Sequence, residues 1–157
     1  MNHRNLLASE LTYSIKGAIF EVSRELGYGF LERVYQKALV EELLSRGLSV
    51  EQEYPVNVRY KGKEVADFRL DLLVENQVII ELKAQSRMPV GAEAQLINYL
   101  RATRFQIGLL VKLFLSQGKR EKNCLVGFAP EGRFPCFLCF SVANLCSSRT
   151  SHPMLSL

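Results

Sequence analysis

The chain has 157 residues, of which 48% are apolar and 23% are charged, which is typical of one globular domain and excludes a disordered chain. The formal net charge of +4 is compatible with binding a phosphate backbone and equally with an ordinary, slightly basic surface. No signal peptide is recognisable, and the longest apolar-rich stretch near the end, residues 134–146, is too short to span a bilayer, so we expect a cytoplasmic protein.

Two helices are predicted in the first 45 residues. Apolar side chains recur at three- and four-residue steps over residues 8–25, which is the helical period. The stretch 27–29, Gly-Tyr-Gly, then breaks the pattern. A second amphipathic helix is predicted over residues 31–45, and it is closed by a cation and a glycine, Arg46 and Gly47.

The apolar period changes to two from residue 52 onward. This alternation predicts three strands, over residues 52–60, 64–74 and 78–84. A helix over residues 92–103 and a strongly apolar strand over residues 107–113 follow. The order predicts an α/β fold with a central mixed sheet flanked by helices, in which an antiparallel meander is extended by a strand after a helical crossover.

The loop between the second and third strands sets their register. A three-residue loop, residues 75–77, makes the apolar faces coincide, whereas a two-residue loop mixes them, because a slip of one residue reverses every side chain. The expected pairs are Val74 with Val78, Leu72 with Ile80, and Leu70 with Leu82. The alternating residues Phe68, Leu70, Leu72 and Val74 are then expected on one face.

The same register brings charged residues together on the opposite face. Asp71 is expected directly across from Glu81, and Arg69 across from Lys83. Two opposed carboxylates repel each other across a sheet, so either solvent and the two cations offset the repulsion or a divalent cation lies between them. Mg²⁺ takes oxygen ligands from one or two carboxylates and keeps several waters. Such a cation could activate a phosphodiester and a water, while Lys83 orients that water or stabilises developing charge.

Four sequence motifs lie in a recognisable order. They are Gly29, Glu32 and Tyr35 around the start of the second helix, Asp71, Glu81-Leu82-Lys83, and Gln95 with Tyr99 in the third helix. Over about residues 5–115 the chain resembles the GxxExxY proteins of the PD-(D/E)XK nuclease superfamily. The pair Gln95 and Tyr99 is similar to the Gln-xxx-Tyr motif of the recombination-exonuclease branch.

The resemblance implies a restriction-endonuclease-like core and a nuclease that depends on Mg²⁺ or Mn²⁺. The implied substrate is nucleic acid, DNA rather than RNA, and a homodimer is compatible with this interpretation. The implied catalytic residues are Glu32, Asp71, Glu81 and Lys83. The implied metal ligands are Asp71, Glu81 and the backbone carbonyl of Leu82, with Glu32 binding directly or through water.

The resemblance also implies substrate-contacting residues, Gln95, Tyr99 and Tyr35. The two tyrosines would equally suit core positions with hydrogen-bonded hydroxyls, and Glu32 would suit the start of a helix because a carboxylate there interacts favourably with the helix dipole. Because a nuclease fold can lose its activity, the alternative function is a catalytically silent module that binds nucleic acid or another protein.

The last quarter of the chain departs from the resemblance. We expect a nuclease-like domain over residues 1–120 and an extension over residues 121–157 that is rich in Cys, Phe and Ser. The extension is interpreted as an added strand, a loosely ordered appendage or a terminus altered by a shifted reading frame. Its four cysteines, Cys124, Cys136, Cys139 and Cys146, contain one CxxC with irregular flanking spacing, which favours thiols over a zinc or iron–sulfur site.

Overall fold

The structure, a computed structural model, describes residues 3–113 and 125–128. Its elements are α1 (His3–Leu26), α2 (Glu32–Ser45), β1 (Val50–Tyr60), β2 (Lys63–Val74), β3 (Val78–Lys83), α3 (Ala92–Ala102), β4 (Ile107–Lys112) and β5 (Leu125–Phe128). The strands form one sheet in the order β1-β2-β3-β4-β5. Strands β3 and β4 are parallel and the other neighbours are antiparallel. The predicted α/β architecture, a meander extended by a strand after a helical crossover, is confirmed.

Helices cover both faces of the sheet. On one face, α1 and α2 pack against β-strand residues that include Ile80 and Leu82. On the other face, α3 packs against residues that include Ile79 and Leu110. Strand β3 therefore has helices above and below it and strands at both edges, which explains why it is apolar almost throughout. Glu81 and Lys83 are the exceptions in this strand.

Helix α3 lies very close to β4 at Gly108. A Cβ atom added to Gly108 would lie 2.9 Å from Cδ1 and 3.0 Å from Cγ of Leu96, and Leu96 is fully buried. We therefore expect Gly108→Ala to lower the free energy of unfolding by about 1–3 kcal/mol, as overpacking of a core does. Urea denaturation measures this change.

A matched control for this prediction is Gly17→Ala in α1. There the added Cβ would meet only the far end of the Arg46 side chain, which can move aside, and alanine is favoured over glycine within a helix by about 1 kcal/mol. Gly17→Ala should leave the stability unchanged or raise it. A Gly108→Ala protein as stable as the wild type would contradict the close approach of α3.

Strand β2 changes the face on which it packs, and the expectation of one shared apolar face is wrong. Leu72 and Val74 pack with α1 and α2, as expected. Leu70 instead belongs to the α3 side of the core. The ring of Phe68 also lies on that side, because its centroid is 5.9 Å from that of Tyr99 in α3.

The cause is an irregular residue in the neighbouring strand β1. Glu53 lies between the pairs Gln52↔Leu72 and Tyr54↔Leu70 and has a left-handed φ of 51°. A residue in this region leaves the extended conformation and interrupts the regular alternation of side chains. The side chain of Arg69 donates a hydrogen bond to the Glu53 carbonyl at 3.2 Å. The predicted pair of Arg69 and Lys83 is wrong as a ladder pair, because the pairing of β2 with β3 ends at Leu72.

The pairing of β2 with β3 agrees with the prediction at first and then ends. The pairs are Val74↔Val78, Leu73↔Ile79 and Leu72↔Ile80, which confirms the three-residue loop. The predicted pairs Leu70–Leu82 and Asp71–Glu81 are wrong as ladder pairs. Where the β2–β3 ladder ends, the Leu82 backbone N–H donates to Oδ2 of Asp71 at 2.7 Å. A side-chain carboxylate of β2 thus takes the place of a backbone carbonyl as the acceptor.

Several expectations lie partly or wholly outside the described residues. All four cysteines and the predicted boundary at residue 120 are outside them. Strand β5 belongs to the segment that was predicted as an extension, and it pairs with β4. Within the described ranges, no helix combines the length and the apolar character needed to cross a bilayer. The cytoplasmic location stays a prediction.

Candidate active site

Glu81 is a buried carboxylate in the middle of the sheet. Only 2% of the residue is exposed. Its Oε1 atom accepts a hydrogen bond from Nζ of Lys83 at 2.9 Å, whereas Oε2 is buried and has no hydrogen-bond partner in the described part of the chain. A buried polar atom without a partner costs about 1–3 kcal/mol, and more if it is charged. A bound cation would supply the missing partner.

Asp71 lies beside Glu81 and is held by the backbone of β3. Its Oδ2 atom accepts the Leu82 N–H, and its backbone carbonyl accepts a hydrogen bond from Nε2 of Gln36 in α2 at 3.1 Å. Burial raises the pKa of Asp71, although the hydrogen bond from Leu82 and the charge of Lys83 oppose the increase. Asp71 is thus fixed at both its side chain and its backbone.

The negative charge of Asp71 acts on the neighbouring Glu81. Burial, followed by the negative charge of Asp71, raises the pKa of Glu81 from 4.5 to about 7, against the opposing hydrogen bond from Lys83. The charge of Glu32 raises the pKa of Glu81 and of Asp71 as well. Neighbouring acidic residues with raised pKa values are common at cation-binding and catalytic sites.

Lys83 is the cation that accompanies this acidic pair. Burial alone would lower the pKa of Lys83, but the hydrogen bond and charge of Glu81, together with the charges of Asp71 and Glu32, outweigh burial and raise it. Its ammonium group therefore stays protonated at neutral pH. The side chain is 14% exposed, which leaves part of it accessible to a ligand.

Glu32 connects the first residue of α2 to the end of β3. Its Oε2 atom accepts a hydrogen bond from the backbone N–H of Ala84 at 3.0 Å, one residue after Lys83. Gly29 precedes the helix with a φ of 106°, a value that favours glycine. These contacts give the first and second residues of the Gly29–Glu32–Tyr35 motif separate structural roles.

Tyr35 holds the loop that leads into α2. The residue is fully buried, its hydroxyl donates to the Gly27 carbonyl at 3.1 Å, and the same oxygen accepts a hydrogen bond from the Phe30 N–H at 3.4 Å. The structure therefore does not bring the Tyr35 side chain to a surface where a substrate could contact it.

Gln95 and Tyr99 approach the carboxylates from α3. Nε2 of Gln95 donates to the hydroxyl oxygen of Tyr99 at 2.6 Å. Burial raises the pKa of Tyr99, the hydrogen bond from Gln95 opposes this, and the charges of Glu81 and Asp71 raise it further. The Tyr99 hydroxyl thus lies within electrostatic reach of both carboxylates, and its own hydrogen has no acceptor among the described residues.

The donor set at this place fits a hard divalent cation. Asp71 and Glu81 offer carboxylate oxygens, one of them buried without a partner, and Mg²⁺ is commonly bound by one or two carboxylates together with waters and substrate phosphates. Within residues 3–113 and 125–128, no three His, Cys, Asp or Glu side chains form a metal-binding group. The charge of Glu32 nevertheless acts on both Asp71 and Glu81, and its part as a metal ligand stays a prediction.

Sequence reasoning missed Gln36. This residue holds the Asp71 carbonyl and also donates to Oε1 of Glu53 at 3.3 Å, so it contacts both strands where the pleat is interrupted. One signal was present: Gln36 lies four residues after Glu32, which places both side chains on one face of α2.

The raised pKa of Glu81 predicts a pH dependence for the metal-free protein. Well below pH 4.5, Glu81 is neutral in both the folded and the unfolded state. As the pH rises towards about 7, Glu81 ionises in the unfolded state first, and the free energy of unfolding therefore decreases. The shift from 4.5 to about 7 corresponds to a loss on the order of 3 kcal/mol. Urea denaturation in EDTA between pH 4 and pH 8 measures it.

The neutral variant Glu81→Gln isolates this effect from other titrating groups. The stability difference between Glu81→Gln and the wild type should grow in favour of the variant as the pH rises through this window. Parallel profiles for the two proteins would contradict the burial of an ionisable Glu81.

Comparison with protein families identifies a match over most of the chain. The profile of the PD-(D/E)XK nuclease superfamily matches residues 9–123, a range that includes α2, the carboxylate pair, Lys83 and α3. Comparisons with curated proteins and with solved structures give no significant match. Nucleases of this superfamily generally use divalent metals, in keeping with the donor set of Asp71 and Glu81. Because the match extends over well more than half of the chain, the protein belongs to the PD-(D/E)XK nuclease superfamily.

Proposed function

We propose that the protein is a nuclease that uses Mg²⁺ or Mn²⁺ to hydrolyse phosphodiester bonds in nucleic acid, with DNA preferred over RNA. The observation that carries the proposal is the buried carboxylate of Glu81, whose Oε2 has no partner among the described residues, beside Asp71 and the protonated Lys83. Such an arrangement is destabilising for the fold alone, and a bound cation would offset the cost.

Asp71 and Glu81 are the proposed metal ligands, together with the backbone carbonyl of Leu82. When bound, the cation would supply Lewis-acid activation of the phosphodiester and of a water. Glu32 is assigned a positioning role, since its Oε2 accepts the Ala84 N–H and so fixes the end of β3 that carries the ligands. The same reasoning makes Tyr35 a positioning residue.

Lys83 is the proposed catalytic cation. Glu81 holds its Nζ at 2.9 Å and keeps it protonated, so it can donate hydrogen bonds to the attacking water or to a non-bridging phosphate oxygen. Donors placed in advance where negative charge develops lower the barrier without reorganising during the reaction. The hydroxyl of Tyr99, held by Gln95, is a further donor for the substrate phosphate.

We also propose that the chain belongs to the GxxExxY branch of the superfamily. The support is that the three residues of the motif have distinct tasks around one site. Gly29 provides the left-handed turn, Glu32 connects to the end of β3, and Tyr35 holds the connecting loop.

The test is a cleavage assay with the purified full-length protein. Labelled single-stranded DNA, duplex DNA and RNA are incubated with Mg²⁺, Mn²⁺ or EDTA. Cleavage that requires the cation and is stronger on DNA is the expected result. Salt-dependent binding without cleavage would instead favour a silent nucleic-acid-binding module, and no binding at low salt would favour a protein-interaction module.

A further inference from the structure

A groove of about 770 Å³ lies between the β1–β2 hairpin and α3. We call it the hairpin–helix groove. Arg59 and Phe68 line it from the hairpin, and Asn98 and Arg101 line it from α3. Gln95 and Tyr99, the two α3 residues of the candidate active site, line it as well, so the groove and the site share these side chains.

The charge of the hairpin–helix groove favours an anion. It contains two guanidinium groups, Arg59 and Arg101, and none of the described residues that line it is acidic. Glu64 is the cross-strand neighbour of Arg59, yet neither arginine forms an ion pair with any described residue. Both guanidinium groups are therefore available to phosphate oxygens, which they can bind through two parallel hydrogen bonds.

The groove also presents an aromatic surface. Phe68 is 45% exposed, although its ring contacts Tyr99 at 5.9 Å between centroids with an interplanar angle of 56°. Tyr99 thus fixes the orientation of the Phe68 ring while part of its surface stays open. Amide side chains, those of Asn57 and Asn98, lie beside it and can donate to or accept from a base edge.

We infer that the hairpin–helix groove binds a single-stranded stretch of nucleic acid, with a base stacked on Phe68 and phosphates on Arg59 and Arg101. This inference rests on the proposed function and deepens it by naming the substrate class. Grooves that bind single strands combine positive charge along the backbone path with aromatic rings that take unpaired bases. An exposed Phe ring can stack only on a base whose face is free, which a duplex offers only at its two ends and a single strand offers along its length.

The size of the groove leads to the same conclusion. About 770 Å³ is in the range of clefts that hold small organic ligands, so it would accommodate about two nucleotides. A duplex, whose bases are paired and stacked along its length, could not place an unpaired base in the groove. The strand would enter between the hairpin and α3 and pass Tyr99 to reach Asp71 and Glu81.

The test measures binding without cleavage. Fluorescence anisotropy in EDTA compares a labelled single-stranded DNA oligonucleotide with the blunt duplex of the same sequence. The single strand should bind at least about tenfold more tightly, since stacking is lost in the duplex. Arg59→Gln and Arg101→Gln should each weaken binding and reduce the slope of log affinity against log salt concentration by about 0.7. Lys37→Gln in α2, on the opposite face of the sheet, removes the same charge and should change neither quantity.

Phe68 is tested by shape-conserving variants so that folding is retained. Phe68→Leu keeps an apolar side chain without a ring and should weaken single-strand binding roughly tenfold with an unchanged salt slope. Phe68→Tyr should bind about as tightly as the wild type. Melting temperatures verify that each variant is folded.

The outcomes separate this inference from the proposed function. Equal or tighter binding of the duplex, or unchanged affinity in both Phe68→Leu and the Arg59→Gln/Arg101→Gln double variant, would overturn the inference whether or not the protein cleaves. Single-strand binding that depends on the groove, combined with no cation-dependent cleavage, would support the inference and refute the nuclease.

Discussion

Asp71→Asn is expected to reduce cation-dependent cleavage about a thousandfold or more. The change removes one of two carboxylate charges that would hold the metal, and the activation that a metal provides is worth several kcal/mol of barrier. The asparagine side-chain carbonyl can still accept the Leu82 N–H, which Asp71 accepts at 2.7 Å. The loss should therefore come from the chemistry and not from misfolding. Single-turnover cleavage in Mg²⁺ measures the effect.

Asp71→Asn should also change the stability of the metal-free protein. Because the charge of Asp71 raises the pKa of Glu81, its removal should relieve repulsion and make the metal-free protein more stable than the wild type at pH 8. Asp67→Asn is the matched control, since Asp67 is exposed in the same strand, and it should retain cleavage. An Asp71→Asn protein that keeps cleavage within tenfold would refute the assignment of Asp71 as a ligand.

Glu32→Ala is expected to lower cleavage by about 10- to 100-fold, the range typical of groups that orient metal ligands. Without the Glu32 side chain the Ala84 N–H loses its acceptor at 3.0 Å, and the end of β3 is no longer fixed to α2. Glu32→Gln keeps an amide oxygen that can accept this hydrogen bond. We therefore expect Glu32→Gln to stay within a few-fold of the wild type.

The comparison of these two variants separates positioning from direct metal binding. If Glu32 only positions β3, the Mg²⁺ concentration for half-maximal rate changes little in Glu32→Gln. If Glu32 binds the metal, Glu32→Gln should fail as badly as Glu32→Ala and should need much more Mg²⁺, which would contradict our assignment. Glu41→Ala, at an exposed position of the same helix, is the control for helix effects.

The sequence predicted the element order because the apolar period changes clearly from helical to alternating. It also predicted the loop at residues 75–77, since only one loop length aligns the apolar residues of β2 and β3. It did not predict that Leu70 packs towards α3. The left-handed φ of 51° at Glu53 is uncommon for a residue other than glycine, and nothing in the local pattern signals it.

Part of the candidate site was predictable, again from the pattern of apolar and charged residues. Glu81 and Lys83 interrupt an apolar strand, and that contrast identifies them from sequence alone. The absence of a partner for the Glu81 Oε2 atom among the described residues depends on how closely α3 and the neighbouring strands pack. The hairpin–helix groove could not be predicted from the sequence, because it forms between residues that are distant in the chain. Phe68 and Arg101, for example, are 33 residues apart.

The irregular backbone at Glu53 separates the β1–β2 hairpin into two halves that pack differently. In the inner half, Leu72 and Val74 pack with α1 and α2 while Leu73 packs on the α3 side. In the outer half, Val56 and Leu70 both pack on the α3 side, where the hairpin forms one wall of the groove. Substitutions or insertions near the hairpin tip, at Lys61 and Gly62, can therefore reshape what the groove accepts without displacing Asp71 or Glu81. In the proposed nuclease, substrate choice and bond cleavage would therefore be encoded in separable stretches of the chain, which would let related enzymes diversify their targets around an unchanged reaction centre.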